Sequence, residues 1–183
     1  ARMDPPALRR AVDGITLDVS AIAVGYAVDR LAGVLEDAGV ADYLIDVGGE
    51  FRGRGASPAG RPWRVGVEHP GTGAVAAAVE LQGMALATSG DYRNYYEAGG
   101  ELYSHVLDPR TGRPVSHGLA SVTVVTRTAA EADALATALL VLGVAPGRAL
   151  AEERALAVLW VVREDGGYRV IETPAFARLH AAE

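Results

Sequence analysis

The sequence predicts an α+β fold: a mostly antiparallel sheet of hairpins packed by helices. Three observations predict it. Short alternating apolar segments recur along the chain, several of them joined by paired glycines that suit hairpin turns. Two other segments carry apolar residues at helical spacing. Hairpins also outnumber strand–helix–strand units, which argues against a doubly wound sheet. No internal repeat, low-complexity tract or interior boundary breaks the 183 residues, so one domain over 1–183 is expected.

Residues 1–13 carry five charged side chains and a double proline, and read as a leading segment. Gly14 to Val19 alternates and predicts a short strand. Ser20 is placed to cap a helix whose apolar stripe is Val24, Val28, Leu31 and Leu35, ending at Gly39. Tyr43 to Val47 is a strand running into Gly48-Gly49, continued by Glu50 to Arg54. Trp63 to Glu68 and Val75 to Leu81 are strands on either side of a glycine-rich loop. Met84 to Thr88 leads into Ser89-Gly90-Asp91-Tyr92, read as a turn. Gly99-Gly100 marks a hairpin between Tyr95–Glu97 and a strand from Leu102 to Leu107. Asp108-Pro-Arg-Thr-Gly112 has turn chemistry throughout.

Ala120 to Thr126 predicts a strand, and Thr128-Ala-Ala-Glu131 a capping box opening a helix that stops at Gly143. A further helix is expected over Gly147 to Arg154. Leu156 to Val162 and Tyr168 to Ile171 then form a hairpin about Gly166-Gly167, and Phe176 to Ala181 closes the chain as a short helix.

Composition narrows the function classes. Half the residues are hydrophobic, which predicts a packed core rather than disorder. A net charge of −6 with no basic run argues against a nucleic-acid surface or an anionic-lipid patch. No apolar run approaches the length of a membrane span. The chain has no cysteine, so thiolate ligation is excluded, and all seventeen basic residues are arginine. The first residues do not form a signal peptide and methionine stands third, so a truncated or processed chain is expected.

Four clusters can carry chemistry. Asp133 and Thr137 are four apart on one face of an otherwise apolar helix. Their oxygens suit a hard cation such as Mg²⁺, but on this helix alone the favoured reading is a carboxylate placed by the helix dipole and a hydroxyl bonded back to a carbonyl. Gly48-Gly49 lets backbone approach a ligand, or serves as an ordinary turn. Thr88-Ser89-Gly90 offers hydroxyls and N–H groups to a phosphate. His105, on the strand side of Tyr103 and Leu107, is a candidate acid or base, or a hydrogen-bonded sheet residue.

Taken in order, these clusters resemble the FAD:protein FMN transferase family, once called the thiamine-biosynthesis lipoprotein family. The matching stretches are Leu17-Asp-Val-Ser-Ala-Ile-Ala-Val-Gly-Tyr-Ala-Val-Asp29, Ile45-Asp-Val-Gly-Gly-Glu50, Trp63-Arg-Val-Gly-Val-Glu68, Ala87-Thr-Ser-Gly-Asp-Tyr92, Ser104-His-Val-Leu-Asp-Pro-Arg-Thr-Gly-Arg-Pro114 and Ala132-Asp-Ala-Leu-Ala-Thr137. The chain resembles the C-terminal two-thirds of a usual member, so a truncated FMN transferase domain of T-fold-like architecture is expected.

The resemblance implies a Mg²⁺-dependent enzyme that splits the FAD pyrophosphate, transfers FMN to a threonine hydroxyl of a target redox protein and releases AMP. It implies metal binding by Asp133, Thr137 and the backbone carbonyl of Ala21, and a base at His105. It also implies FAD contacts at Gly48, Gly49, Thr88, Ser89 and Gly90, while Asp108 shapes its turn. Similar proteins are often lipoproteins outside the cytoplasm, with the lipid anchor as their only tie to the membrane. The family's helix usually begins Ala-Lys-Gly-Tyr, whereas this one reads Ala23-Val24-Gly25-Tyr26, so the lysine near the nucleotide is absent. A non-catalytic FAD-binding pseudoenzyme, or an FAD pyrophosphatase giving FMN and AMP, are the alternatives.

Overall fold

A computed structural model describes residues 7–90 and 104–180 in full, and the backbone alone at 2, 3, 6, 95–98 and 101–103. In chain order the elements are β1 (Arg2–Met3), β2 (Pro6–Ala7), α1 (Ser20–Asp37), β3 (Tyr43–Val47), β4 (Glu50–Arg54), β5 (Trp63–Glu68), β6 (Val75–Leu81), β7 (Met84–Gly90), β8 (Tyr95–Ala98), β9 (Glu101–Ser104), β10 (Leu107–Asp108), β11 (Arg113–Pro114), β12 (Leu119–Thr126), α2 (Ala129–Leu142), α3 (Val144–Glu153), β13 (Ala157–Glu164), β14 (Gly167–Glu172) and α4 (Pro174–Ala177). Six strands form the main sheet in the order β14-β13-β12-β7-β4-β3, with every neighbouring pair antiparallel. The α+β class expected from the sequence is the one observed.

The sheet is covered on both faces. Strand β12 lies inside it, and all eight of its residues are buried. Its alternate side chains serve two cores, as a period of two requires. Val122 and Val124 pack with Ala136, Leu139 and Leu140 of α2 and with Trp160. Val125 packs on the opposite face with Leu86, Leu159 and Val161, under the β5–β6 ribbon and Phe176 of α4. A third cluster joins Val28 and Ala32 of α1 to Tyr43, Ile45, Ala85 and Ala129. Each fully buried Val, Leu or Phe contributes roughly 1.5–3 kcal/mol, so three such clusters hold the layers together.

Helix α2 starts and stops where the sequence says. The Thr128 hydroxyl accepts the Glu131 N–H at 3.3 Å, and Gly143 closes the helix at φ +76°. The two first donors, Ala129 and Ala130, are satisfied from another element: their N–H groups donate to the Asp29 carboxylate of α1, each at 2.9 Å. Arg52 of β4 forms an ion pair with the same carboxylate. Asp29 thus ties α1, α2 and β4 at one point.

Helix α1 approaches α2 so closely at this point that only glycine fits at 25. A Cβ on Gly25 would lie 2.3 Å from the Ala129 carbonyl oxygen and 2.8 Å from the Ala130 Cα. This contact rotates the buried stripe away from the one read in the sequence. Gly25, Val28 and Ala32 are buried, Val24 and Leu35 are half-buried, and Leu31 is 47% exposed.

Other local expectations are corrected. Residues 15–19 form no strand. Ser20 is the first helical residue rather than a cap, and its N–H donates to the Asp18 carboxylate at 2.8 Å. Gly48 and Gly49, at φ +68° and +104°, form the two-residue turn of the β3–β4 hairpin rather than lying within a continuing strand. Thr88, Ser89 and Gly90 end β7 instead of forming a turn, because the ladder to β12 extends to Gly90 opposite Ser121. Helix α3 begins at Val144, three residues early, with Pro146 tolerated in its first turn. Helix α4 begins at Pro174, capped by Thr173, and ends at Ala177. The Gly99-Gly100 turn and Asp91-Tyr92 lie outside the described residues.

Replacing Gly25 by alanine should force α1 and α2 apart and lower stability by about 2 kcal/mol, the usual scale of overpacking. Gly33→Ala, in the same helix with no atom within 4 Å of the new methyl, should instead stabilise by up to about 1 kcal/mol. Urea denaturation of the two variants beside the parent chain checks both signs.

Candidate functional site

Helix α2 crosses the sheet over β7 and carries Asp133 and Thr137 on the face that looks toward α1 and the end of β7. Asp133 is buried, at 6% exposure. One of its carboxylate oxygens accepts the Gly25 N–H at 3.0 Å. Ala21 stands one helical turn before Gly25 in α1. The carboxylate and the amide meet where the two helices touch. One turn along α2, the Thr137 hydroxyl shares a 2.9 Å hydrogen bond with the Ser89 hydroxyl. The neighbouring Thr88 hydroxyl is paired with Thr123 at 2.8 Å.

These groups open on one cavity of about 670 Å³, lined by residues of α1, α2, the β3–β4 hairpin, β7 and the segment after β9. It brings together Ala21, Gly48, Thr88, Ser89, Gly90, His105, Asp133 and Thr137. Gly49 lines an adjoining cavity of about 560 Å³ that shares Gly48, Thr88 and Gly90 with the first. The Gly49 N–H donates to Asp46 at 3.2 Å, so its contribution to a ligand is the absence of a side chain. Among the described residues no group of three His, Cys, Asp or Glu side chains gathers as a metal cage. The cavity's lining on α2 is instead the Asp133 carboxylate and the Thr137 hydroxyl, with Ala21 of α1 beside them.

His105 stands outside the strand predicted for it. Strand β9 ends at Ser104, whose buried hydroxyl accepts the Val106 N–H at 3.1 Å and turns the chain out of the sheet. His105 is consequently exposed at the cavity's edge. Asp108 forms its turn as expected, accepting the Arg110 N–H at 2.9 Å and pairing with the guanidinium. That pairing lowers the Asp108 carboxyl below the usual carboxylate range.

Two acidic lining residues escaped the sequence reading. Glu50, half-buried at the start of β4, has its carboxyl pushed up to about 7, first by burial and then by the charges of Asp133 and Asp46. The visible signal was a carboxylate set directly after a tight glycine turn in an apolar hairpin. Asp18 also lines the cavity, and its carboxyl is lowered by the bonds it accepts from the Ser20 hydroxyl and N–H. Burial raises the Asp133 carboxyl, while the Gly25 N–H acts in the opposite sense. Two neighbouring acids with raised carboxyls, beside the Thr137 hydroxyl, make a pocket with an excess of hard oxygen charge. That donor chemistry fits a divalent hard cation.

Comparison with known proteins places the chain in a family. The model of the ApbE family matches residues 1–160. The FAD:protein FMN transferase of Salmonella typhimurium is 42% identical over 171 residues, covering 92% of this chain and 49% of that protein. The protein of the same name from Escherichia coli K12 is 40% identical over 178 residues, covering 96% and 51%. The apo crystal structure of the Pseudomonas stutzeri flavinyl transferase ApbE superposes with a TM-score of 0.82 at 47% identity, covering 91% of this chain and 52% of that one. The ApbE protein of Thermotoga maritima gives 0.83 at 32% identity, covering 93% and 55%. The chain spans about half the length of the curated relatives it matches.

In metal-free protein the raised Glu50 carboxyl makes stability fall with pH. The folded pocket favours the protonated acid, so this contribution is complete below the ordinary value of 4.5 and is lost as the pH rises through about 7. Glu50→Gln should flatten that fall, as read from urea midpoints between pH 4.5 and 7.5. An unchanged slope would show that another group titrates there.

Proposed function

The chain belongs to the ApbE family, and from that premise we propose that its pocket serves Mg²⁺-dependent transfer of FMN from FAD to a threonine hydroxyl of a target redox protein, with release of AMP. The observation that supports this reading most is the convergence of Ala21, Asp133, Thr137 and His105 from separate parts of the chain on one cavity. An extracytoplasmic setting, with any membrane tie made by a lipid anchor, belongs to the same reading and rests on the family resemblance.

In this reading the Ala21 carbonyl, the Asp133 carboxylate and the Thr137 hydroxyl would hold the cation. Bound Mg²⁺ would supply positive charge to the pyrophosphate oxygens as the phosphoryl group moves. The chain's own residues do the positioning that such a transfer needs. The Gly25 N–H fixes one Asp133 oxygen and leaves the other for the cavity. The Ser89 hydroxyl fixes the rotamer of Thr137. Gly48, turned at positive φ and lacking a side chain, lets the dinucleotide lie against the backbone. A new bond forms between the acceptor oxygen and the FMN phosphorus as the bond to the AMP oxygen breaks. The His105 imidazole at the rim takes the acceptor's proton.

One feature favours a second reading, FAD binding without turnover. Val24, half-buried in α1, stands where similar proteins carry lysine, and the chain has no lysine elsewhere. The two readings separate in one assay. With FAD, Mg²⁺ and a threonine peptide, the transferase yields flavinylated peptide and AMP; a pure binder quenches flavin fluorescence and releases no AMP.

Asp133→Asn should lower the transfer rate at least about a hundredfold, the scale of losing one preorganised charged group at a reacting centre. Its far-ultraviolet spectrum should stay unchanged. Val24→Lys should raise the rate if charge at that position is limiting, and an unaltered rate would assign Val24 to packing alone.

A further inference from the structure

Helix α2 carries two ties at its N-terminus, and they do different things. The Thr128 hydroxyl accepts the Glu131 N–H at 3.3 Å, a local cap that starts the helix. The Asp29 carboxylate accepts the Ala129 and Ala130 N–H groups, each at 2.9 Å, across 100 and 101 residues of chain. Thr128 already marks where α2 begins. What Asp29 adds is a fixed relation between two helices.

The form of the second tie suits that purpose. Asp29 Oδ1 accepts the Ala129 N–H and Oδ2 accepts the Ala130 N–H, so sliding or rolling α1 breaks at least one bond. Arg52 of β4 pairs with Oδ1 and holds the carboxylate from the sheet side. The Asp29 side chain is 16% exposed, so water competes poorly for these bonds. One turn earlier, Gly25 brings the helices into contact but has no side chain to interlock them. Close approach comes from Gly25, and register from Asp29.

Ala21, Gly25 and Asp29 follow at intervals of four along α1 and line one side of it. In the reading above the cation's ligands are divided between the helices, Ala21 on α1 and Asp133 and Thr137 on α2. The spacing of the two sets is therefore set by the α1–α2 register. A slip of one residue moves a helix by about 1.5 Å along its axis. Mg²⁺ demands near-ideal octahedral geometry at about 2.0–2.1 Å, whereas Ca²⁺ accepts irregular geometry at about 2.3–2.6 Å. A register loosened by much less than one residue thus costs Mg²⁺ its fit and leaves Ca²⁺ its own. We propose that Asp29 is a positioning residue for the cation site, pinning α1 to α2 so that the site prefers Mg²⁺ to Ca²⁺. This rests on the cation reading above and gives that site the source of its ion selectivity.

The test reads cation binding rather than turnover. Free Mn²⁺ is followed by electron paramagnetic resonance with FAD present and no acceptor, against a protein-free blank, while Mg²⁺ or Ca²⁺ is titrated in to displace it. In the parent chain Mg²⁺ should displace Mn²⁺ at lower concentration than Ca²⁺ does. Asp29→Asn keeps the shape of the side chain but loses its charge and one acceptor. It should weaken Mg²⁺ roughly 10–100-fold, the usual cost of losing an outer-shell partner, and Ca²⁺ by much less. Thr128→Ala should lower the urea midpoint and keep the parent's Mg²⁺ preference. Should Asp29→Asn fail to fold, Asp29→Glu decides the matter: it keeps the charge and both acceptors but moves them by one methylene, so the preference should still fall. Parent-like preference in the Asp29 variants overturns the proposal and leaves Asp29 a stabilising residue alone. Equal displacement by both ions from the parent chain, or an equal loss of preference in Thr128→Ala, also overturns it. If the parent chain holds no Mn²⁺ beyond the blank, the cation reading itself falls, and this assignment with it.

Discussion

The Asp29 carboxylate holds together the parts on which the candidate site depends. It accepts the first two N–H groups of α2 and forms an ion pair with Arg52 of β4, so one side chain satisfies a helix terminus and fixes a helix to the sheet. A helix N-terminus leaves donors unpaired and carries partial positive charge, and a carboxylate there commonly contributes about 1 kcal/mol. Its geometric effect is larger than that figure conveys. Asp29 brings α1 and α2 together where Gly25 has no side chain, and this contact puts the Gly25 N–H within reach of Asp133. Without this docking, Asp133 would be a buried acid with no donor and the Ala21 carbonyl would belong to a separate helix.

The pocket formed in this way keeps charge that the rest of the protein avoids burying. Glu50 and Asp133 repel one another, and both titrate above the ordinary range of their residue types. A core built only for stability would replace such a pair with apolar residues. Retaining it fits a site whose charge is completed by a cation. The surrounding hydroxyls are already paired with each other, Ser89 with Thr137 and Thr88 with Thr123, so their positions are set by the sheet and helix that carry them. The site is preorganised by rigid elements on three sides, and its remaining wall is the exposed segment around His105.

Most of this was legible in the sequence where chemistry is local. The Thr128–Glu131 box and Gly143 set both ends of α2, and the alternation of β12 and the turn chemistry of Asp108–Gly112 need only near neighbours. Failures came where a distant partner decides. Leu31 fits the apolar period of α1, yet the close approach to Ala129 turns the buried face toward Gly25 and Ala32. Ser89 and Gly90 look like turn residues until β12 pairs with them. Glu50 has no local peculiarity beyond the glycines before it, and its altered titration depends on Asp133, far away in sequence. The paired spacing of Asp133 and Thr137 was visible, but whether they faced a ligand or a backbone carbonyl was a tertiary question.

The double burial of the main sheet also governs how binding would register in amide hydrogen exchange. Strand β12 is covered on both faces and paired on both edges, so its amides exchange only when the whole core opens. The pocket floor at Thr88 and Ser89 is hydrogen-bonded directly to that strand and shares its slow exchange. The rim, from His105 through the Asp108 turn, is largely exposed, and its own two-residue ladder, β10 with β11, is separate from the main sheet. A ligand would thus leave the floor's already slow exchange little changed and write its footprint almost wholly in the rim. The part of the molecule that holds the candidate site and the part that would report its occupancy are different pieces of backbone.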